Sequence, residues 1–291
     1  MVDLPSQLDA AVRSVAARLA KAGIEPAFTE ARLIFELAGF DRMALLKAPD
    51  DLLSPEQTAI ILLALEKRLN GMPVSRIRGW SLFDGRRFDL SPDTLEPRDD
   101  TLTLIDAVAE FVQQTPQCRI MDIGTGTGII ALTLLARVPH AVALGSDISA
   151  GAWKVAVRNA ENLGLLGRFE TQTANMLDGI TGQFDLIISN PPYISSAVVE
   201  TLEREVRNHD PMAALDGGAD GLDFYRRLAM NAGVLLAANG LVAVEIGYDQ
   251  REAVAMIFFN AGFKERAFHK DLGGRPRALV FEKRALVFEK S

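Results

Sequence analysis

The sequence predicts an α/β domain with a mostly parallel sheet, preceded by a small all-α domain. From residue 8 to about residue 69, apolar residues recur at intervals of three and four, as in Leu8, Val12, Val15 and Leu19, which is the period of amphipathic helices. After about Thr101 the pattern changes to short apolar runs that alternate with helical stretches. Such alternation indicates βαβ units, in which ligands bind beyond the carboxyl ends of the parallel strands.

One helix of the front domain has both ends marked in the sequence. Ser54 is expected to cap its N-terminus, with Pro55 at the first helical position, where a proline loses no hydrogen bond. The helix is expected to run to Leu69, because Asn70-Gly71 favours a helix end. We predict a packed helical bundle with a solvated face, to which a role in docking the substrate would be an addition.

Residues 80–90 alternate between apolar and polar types and contain Asp84-Gly85, a dipeptide typical of two-residue hairpin turns. We therefore predict a β-hairpin that links two domains. The predicted division is a helical domain over residues 1–73, a hairpin linker over 74–96 and the α/β domain over 97–291. The predicted strands of the α/β domain are the runs 119–123, 141–146, 169–174, 184–189, 241–246 and 278–281.

The composition argues against several classes of protein. The 291 residues are 48% hydrophobic and 24% charged, as in ordinary globular chains, and no run reaches the roughly 20 apolar residues that span a bilayer. A net charge of -7 argues against stable nucleic-acid binding through a broad basic surface. The three histidines lie far apart, without ligands at metal-site spacing, so no metal is predicted. The single Cys118 and the lack of a signal-peptide pattern favour a cytoplasmic location.

A tandem repeat of seven residues occupies the C-terminal segment 277–290, where Arg-Ala-Leu-Val-Phe-Glu-Lys occurs twice. Seven residues are too few for a solenoid unit, so a local duplication or an engineered scar is expected. One strand position can hold only one copy. The first copy keeps the spacing from Gly273-Gly274, so we expect the second copy, residues 284–290, to be dispensable.

A glycine-rich turn follows the first predicted strand, with the pattern Asp122-x-Gly124-x-Gly126-x-Gly128. The dinucleotide-binding fingerprint needs its third glycine one residue later, where this chain has Ile129. Glycines allow a tight turn and a close approach of a ligand to the backbone, which suits the methionine and ribose parts of S-adenosylmethionine. The residues expected around that cofactor are Asp122, Gly124, Thr125, Gly126, Thr127 and Gly128. The alternative is a generic strand-to-helix turn.

Two further residues at predicted strand ends are candidates for the same site. Asp147 ends the second strand, where a carboxylate accepts hydrogen bonds from both ribose hydroxyls. Its alternative role is to cap the next helix, for which Ser149 is also available. Met176 follows the third strand, at the height of the adenine, and is expected either to form an apolar wall for that ring or to pack in the core.

The tetrapeptide Asn190-Pro191-Pro192-Tyr193 follows the fourth predicted strand. Its chemistry fits methylation of a planar nitrogen, which is a poor nucleophile because its lone pair is delocalised. The Asn190 side-chain oxygen and the Pro191 carbonyl would each accept one N–H, and so aim the lone pair at the methyl group. The prolines stiffen the loop, and Tyr193 would stack on the substrate. Alone, Asn-Pro is also a common turn signal.

These motifs resemble those of the HemK-type glutamine N5-methyltransferases, which modify bacterial peptide chain release factors. The likeness spans nearly the whole chain and includes residues 214–218, residues 220–227 and the strand end at residues 244–247. It implies a Rossmann-like class I methyltransferase domain with a seven-stranded, mostly parallel sheet, a helical N-terminal domain and a hairpin linker. It also implies the glutamine of a Gly-Gly-Gln loop as substrate. By position, cofactor contacts fall on residues 124–128, Asp147, Met176 and Asn190, and substrate contacts on Asn190, Pro191, Pro192 and Tyr193.

Other functions share this chemistry. The same tetrapeptide serves adenine N6 methylation in DNA and guanine N2 methylation in RNA, although an enzyme acting on duplex DNA must also flip out its base. Methylation of a ribosomal-protein glutamine is a closer alternative. Pro97-Arg98 and Thr101 are residues that the chain shares with the family it resembles. Together with residues 223–227 they favour release factors as substrates. A fold that binds ligands without catalysis is the remaining alternative, against which the intact Asn190 and glycine turn argue.

Overall fold

The computed structural model describes residues 4–284, which fall into two compact units that divide after Gly79. Helices form the first unit, and their apolar faces pack together as the sequence period predicts: Leu8, Val15, Leu19 and Phe35 are all fully buried. The helices are α1 (Leu8–Lys21), α2 (Ala27–Glu36), α3 (Arg42–Lys47), α4 (Pro55–Leu69) and α5 (Val74–Arg78).

Helix α4 has the predicted ends. The Ser54 hydroxyl accepts a hydrogen bond from the Gln57 backbone N–H at 3.1 Å, and the Gln57 side-chain oxygen accepts one from the Ser54 N–H at 2.9 Å. This reciprocal capping box satisfies two backbone donors that the first turn of a helix leaves unpaired. At the other end, Asn70 is the C-cap and Gly71 has a φ of 93°, so the predicted bounds are confirmed.

The second unit begins with the predicted hairpin. Strands β1 (Trp80–Phe83) and β2 (Arg86–Asp89) pair antiparallel around Asp84 and Gly85, whose φ values of 50° and 71° suit a two-residue hairpin turn. The hairpin prediction is confirmed. Because α5 lies in the first unit and the hairpin in the second, the predicted linker at 74–96 contributes residues to both units.

The rest of the second unit is a sheet covered by helices. Among the described residues, seven strands follow the order β5-β4-β3-β6-β7-β9-β8, in which β9 is antiparallel to both of its neighbours and the other pairs are parallel. The strands are β3 (Arg119–Ile123), β4 (Val142–Asp147), β5 (Phe169–Thr173), β6 (Phe184–Ser189), β7 (Leu236–Glu245), β8 (Phe263–Lys270) and β9 (Pro276–Lys283). The helices are α6 (Thr101–Gln114), α7 (Ile129–Arg137), α8 (Ala150–Asn162), α9 (Ser196–Val199), α10 (Arg204–His209), α11 (Asp223–Leu235) and α12 (Arg251–Asn260). The predicted fold class is confirmed.

Alternate residues of the strands enter two separate cores. On one face, Ile120 and Leu186 pack with residues of α6 and α7; on the other, Met121 and Ile187 pack with residues of α11 and α12. Burial on both faces explains why these strands are continuous apolar runs in the sequence. No helix within residues 4–284 is long and apolar enough to cross a membrane.

Strands β4, β5 and β9 differ from the predicted bounds by one or two residues, and two other strands differ more. Strand β8 was missed because only Phe263 of its eight residues is buried, so this edge strand carries no apolar run. Strand β7 begins at Leu236, five residues earlier than predicted, because its first half contains Asn239-Gly240, a turn signal, beside an irregular register between Phe184 and Leu186.

The first copy of the repeat lies in β9, between β7 and β8, as predicted. The second copy, residues 284–290, lies outside the described residues except for Arg284. The Arg284 backbone N–H donates to the Gly262 carbonyl at 2.9 Å, and its guanidinium lies 4.3 Å from the centre of the Phe259 ring.

Candidate active site

A cavity of about 650 Å³ opens at the carboxyl ends of the parallel strands in the second unit. Four strand ends contribute to it: the glycine turn after β3, Asp147 at the end of β4, Asn175-Met176 after β5 and Asn190 after β6. Its remaining walls come from residues 93–101, from the segment around Gly217 and from the start of α11. The topology therefore brings together residues that are far apart in the sequence.

The glycine turn gives the cavity a backbone wall. Gly124, Thr125, Gly126 and Thr127 line it, and the φ values of 69° at Gly124 and 54° at Gly126 lie in the left-handed region that glycine adopts readily. Gly128 has a φ of 82° and is the N-cap residue of α7. A Cβ there would lie 2.8 Å from the Leu132 Cδ1, so Gly128 allows the turn to pack against its own helix.

Asp122 supports this turn without lining the cavity. Its Oδ2 accepts hydrogen bonds from the Thr125 hydroxyl at 2.8 Å and the Ala131 N–H at 3.3 Å, while its Oδ1 has no partner among the described residues. Complete burial raises the pKa of Asp122 to about 7, against the lowering effect of those two hydrogen bonds. Asp122 therefore ties the turn to the first turn of α7.

Asp147 connects the glycine turn to the start of α8. Its Oδ2 accepts from the Gly126 N–H at 3.0 Å and its Oδ1 from the Ser149 N–H at 2.9 Å. Ser149 is the cap of α8, because its hydroxyl accepts from the Gly151 and Ala152 N–H groups. An ionised carboxylate has about four acceptor positions, so Asp147 keeps capacity for ligand hydroxyls on the cavity side. Burial raises its pKa.

Met176 lies in the cavity wall and also packs in the core, so the predicted core contact is confirmed, while a contact with adenine stays a prediction. It has a φ of 63°, which is unusual for a residue with a side chain, and its carbonyl accepts a hydrogen bond from the buried Ser146 hydroxyl at 3.2 Å. The neighbouring Asn175 side-chain oxygen accepts from the Arg227 guanidinium at 3.3 Å.

Asn190 lines the cavity beside the glycine turn, because Ser189 and Ile123 are paired at the ends of the neighbouring strands β6 and β3. The Asn190 Nδ2 donates to the Thr101 hydroxyl at 3.1 Å, and that hydroxyl donates to the Glu245 Oε2 at 2.7 Å. One N–H of Nδ2 is used on Thr101, which leaves Oδ1, at the other end of the amide, as the acceptor that Asn190 can offer to a ligand. Glu245 is buried, which raises its pKa to about 7 against the opposing effects of the Thr101 hydrogen bond and the Arg277 charge.

The Pro-Pro-Tyr part of the loop rests on a glycine-rich segment. The Ile194 N–H donates to the Leu215 carbonyl at 3.1 Å, and the Gly217 N–H donates back to the Ile194 carbonyl at 2.8 Å. A Cβ on Gly217 would lie 2.7 Å from the Pro192 carbonyl oxygen, so only glycine allows the two segments to pack this closely. Segment 214–221, part of which carries the family resemblance, thus supports the loop.

Within the tetrapeptide, Asn190 and Pro192 line the cavity, whereas Pro191 and Tyr193 do not. The Tyr193 ring packs against the core, its carbonyl accepts from the Gln250 amide at 2.8 Å, and its hydroxyl accepts from the Arg277 guanidinium at 3.4 Å. Burial raises the pKa of Tyr193 to about 12, so it is a neutral phenol at physiological pH. These contacts explain why the Tyr193 ring packs against the core and does not line the cavity.

Sequence reasoning missed Thr101 as a neighbour of Asn190, and it missed Glu245 and Arg277 as charges close to the loop. The available signal for Glu245 was a carboxylate inside an apolar strand end, between Val244 and Ile246. Arg277 is nearly buried, and its guanidinium pairs with Asp100 at 3.1 Å and Asp271 at 3.2 Å. A charged residue in an apolar strand needs a partner for its charge or its hydrogen bonds, so such a residue indicates a polar contact worth looking for.

Two family models match the chain: the PrmC N-terminal domain over residues 10–79 and the methyltransferase small domain over residues 103–208. A release factor glutamine methyltransferase from Agrobacterium fabrum is 46% identical over 271 residues, which are 91% of this chain and 94% of that protein. The chain belongs to the release factor glutamine methyltransferase family. The resemblance predicted from the motifs is confirmed.

Other relatives agree with this family. A release factor glutamine methyltransferase from Rhodospirillum rubrum is 44% identical over 92% of this chain and 82% of its own length. A solved methyltransferase from Pyrococcus furiosus aligns with a TM-score of 0.50 over 76% of this chain and 98% of its own, at 17% identity, and so shares the fold alone. Membership makes the chain a methyltransferase, and methyltransferases of this fold in general use S-adenosylmethionine as methyl donor.

Proposed function

We propose that this enzyme transfers a methyl group from S-adenosylmethionine to the side-chain amide nitrogen of the glutamine in the Gly-Gly-Gln loop of peptide chain release factors. The observation that carries the proposal is the oriented Asn190 amide in a cavity that also contains the glycine turn. The relatives support the proposed substrate, because proteins that are 41–46% identical over at least nine-tenths of this chain are named release factor glutamine methyltransferases.

The residues around the cavity fit the cofactor. A volume of about 650 Å³ lies within the usual range for small-molecule pockets, and Asp147 lines it together with the glycine turn. Gly124 to Thr127 would contact the methionine part, Asp147 the ribose hydroxyls, and Met176 the adenine. Asp122 and Gly128 would act indirectly, because they shape the turn and lie outside the cavity wall. When bound, S-adenosylmethionine supplies an electrophilic methyl group on a cationic sulfur.

The chain's own residues orient the nucleophile. A primary amide has two N–H groups and a delocalised lone pair, so its nitrogen must be held with the lone pair free. The Asn190 Oδ1 would accept one N–H, and the Pro191 carbonyl is the second acceptor that the sequence predicts, although Pro191 does not line the cavity in this structure. Two preorganised dipoles would then stabilise the positive charge that develops on nitrogen as the N–C bond forms and the methyl–sulfur bond breaks, until one N–H proton is lost to solvent. Pro192 would contact the substrate from the cavity wall, whereas the predicted stacking by Tyr193 requires its ring to leave the core.

The test is to incubate the enzyme with a release factor and S-adenosylmethionine and to locate the added methyl by peptide mass spectrometry. We expect a gain of one methyl group on the loop glutamine. A release factor with that glutamine replaced by asparagine is the matched control, because it keeps an amide but shortens the side chain. Parallel reactions with ribosomal protein, duplex DNA and RNA cover the alternatives, and methylation of one of these without any on the release factor would refute the proposal.

Release factors act on ribosomes, so the proposed partner also implies the compartment. We infer that the enzyme works in the cytoplasm on its protein substrate. Co-purification of methylated release factor from cells that carry the enzyme, compared with cells that lack it, tests both points together.

A further inference from the structure

The buried carboxylate of Glu245 has no role in the chemistry described above, yet it ends the chain of hydrogen bonds that begins at Asn190. Glu245 lies at the carboxyl end of β7 and is 1% exposed, and it does not line the cavity. Its backbone is fixed as well, because the Glu245 carbonyl accepts from the Tyr225 hydroxyl at 2.8 Å and β7 pairs with β9 at this residue.

The direction of the hydrogen bonds follows from which groups can donate. Above its pKa of about 7 the Glu245 carboxylate only accepts, so the single hydroxyl proton of Thr101 is used on Glu245 at 2.7 Å. The Thr101 oxygen can then only accept from Asn190, and the Asn190 amide must turn its Nδ2 toward it, at 3.1 Å. The opposite end of the same amide, Oδ1, is thereby directed to the cavity side.

We propose that Glu245 is a positioning residue, which acts through the Thr101 hydroxyl to fix the Asn190 amide with its oxygen toward the substrate. The proposal rests on the proposed function, since the substrate amide must find an acceptor and not a second donor. A reversed Asn190 would present Nδ2 to the substrate N–H groups, and two donors cannot form a hydrogen bond.

Replacing Glu245 by glutamine removes the restriction and leaves the shape nearly unchanged. The new amide can donate its NH2 to the Thr101 oxygen, which frees the Thr101 proton for the Asn190 Oδ1 and permits the reversed amide. Glu245→Gln should therefore lower kcat about 10-fold or more, within the roughly 10²-fold cost of a misplaced catalytic group, and leave the Kd of S-adenosylmethionine within about 2-fold. The assay is run at about pH 8.5, because burial raises the pKa of Glu245 to about 7.

A double-mutant cycle separates positioning from mere stability. If Glu245 acts through Thr101, its replacement should have no further effect on kcat once the hydroxyl is gone, so Thr101→Val and the double variant Thr101→Val/Glu245→Gln should turn over at the same rate. Thr101→Ser keeps the hydroxyl and should retain most of the wild-type kcat. Thr133→Val is the matched control, because it also removes a fully buried hydroxyl, one without a hydrogen-bond partner among residues 4–284.

Several results would overturn the inference. Wild-type kcat in Glu245→Gln would show that the carboxylate does not act through Thr101. The same conclusion would follow if Glu245→Gln lowered kcat by the same factor in the Thr101→Val background as in the wild type. If Glu245→Gln does not fold, Thr101→Val and Thr101→Ser decide the question, because equal kcat in these two variants excludes the hydroxyl from any positioning role.

A second measurement is independent of the substrate. The Asn190 side-chain NH2 resonance, assigned by its loss in Asn190→Asp, should shift in Thr101→Val and in Glu245→Gln but not in Thr133→Val. An unchanged resonance would refute the positioning role even if methylation is observed. Conversely, shifted resonances in an enzyme that does not methylate a release factor would refute the proposed function and leave the positioning of Asn190 supported.

Discussion

Replacing Asp122 by asparagine should change how the stability of the second unit depends on pH. In the folded chain Asp122 is fully buried, and burial raises its pKa from 3.8 to about 7. A raised pKa means that the folded state binds the proton more tightly than the unfolded state. The stabilising contribution is thus fully present below about pH 4 and is lost as the pH rises through about 7.

The size of the effect follows from the shift. About three pKa units at roughly 1.4 kcal/mol each correspond to about 4 kcal/mol of unfolding free energy between low and neutral pH. Asparagine keeps an oxygen that can accept from Thr125 and Ala131 but has no proton to lose. The difference in unfolding free energy between the wild type and Asp122→Asn should therefore fall by about 3–4 kcal/mol between about pH 4 and pH 8.

Urea unfolding followed by tryptophan fluorescence is a suitable assay, because both tryptophans, Trp80 and Trp153, belong to the second unit. Glu245 titrates in the same range, but it is present in both proteins and cancels in the difference. The exposed Asp249→Asn serves as control and should follow the wild-type curve. Parallel pH dependences for wild type and Asp122→Asn would refute the argument that this carboxyl is held protonated by burial.

Further changes have distinct expected outcomes. Asn190→Ala should lower single-turnover rates roughly 10²- to 10³-fold with little change in cofactor affinity, and wild-type turnover would contradict its role. Asp147→Ala should weaken S-adenosylmethionine by about 1.5–3 kcal/mol in calorimetry, and unchanged binding would leave it only its structural contacts. Gly128→Ala should cost about 1–3 kcal/mol in urea unfolding, because it combines a left-handed φ with overlap on Leu132. The sequence predicts that the chain can end at Lys283, but Arg284 contacts Gly262 and Phe259. Ending the chain one residue later, at Arg284, should therefore change stability by less than about 0.5 kcal/mol, whereas loss of folding would mean that the second copy of the repeat is needed.

Features that depend on neighbouring residues were predictable from the sequence. The ends of α4 follow from a cap and a glycine a few positions away, and the strands before the glycine turn and before Asn190 have the predicted bounds because they are buried on both faces. Strand β8 carries no such signal, since its edge position leaves most of its side chains in solvent. Local patterns thus identified the two motifs and their strand ends.

Contacts between distant residues were not predictable in this way. Thr101 meets Asn190 across 89 positions and Glu245 across 144, distances over which periodicity and spacing hold no information. The position of Tyr193 depends in the same way on Gln250 and Arg277, which the sequence gives no reason to place beside it. The stiffness that the two prolines give to the loop stays a prediction, whereas the direction of the Tyr193 ring depends on its partners Gln250 and Arg277.

The long sequence distances around Asn190 have a consequence for synthesis and for engineering. Thr101 and Asn190 leave the ribosome well before Glu245. A nascent chain would therefore contain the glycine turn and the tetrapeptide before Glu245 is present to orient the Asn190 amide through Thr101. A chain divided at the exposed Thr201 would distribute Thr101 and Asn190 to one fragment and Glu245 to the other. Neither fragment would contain the complete network, and methylation by a mixture of the two would report their reassembly.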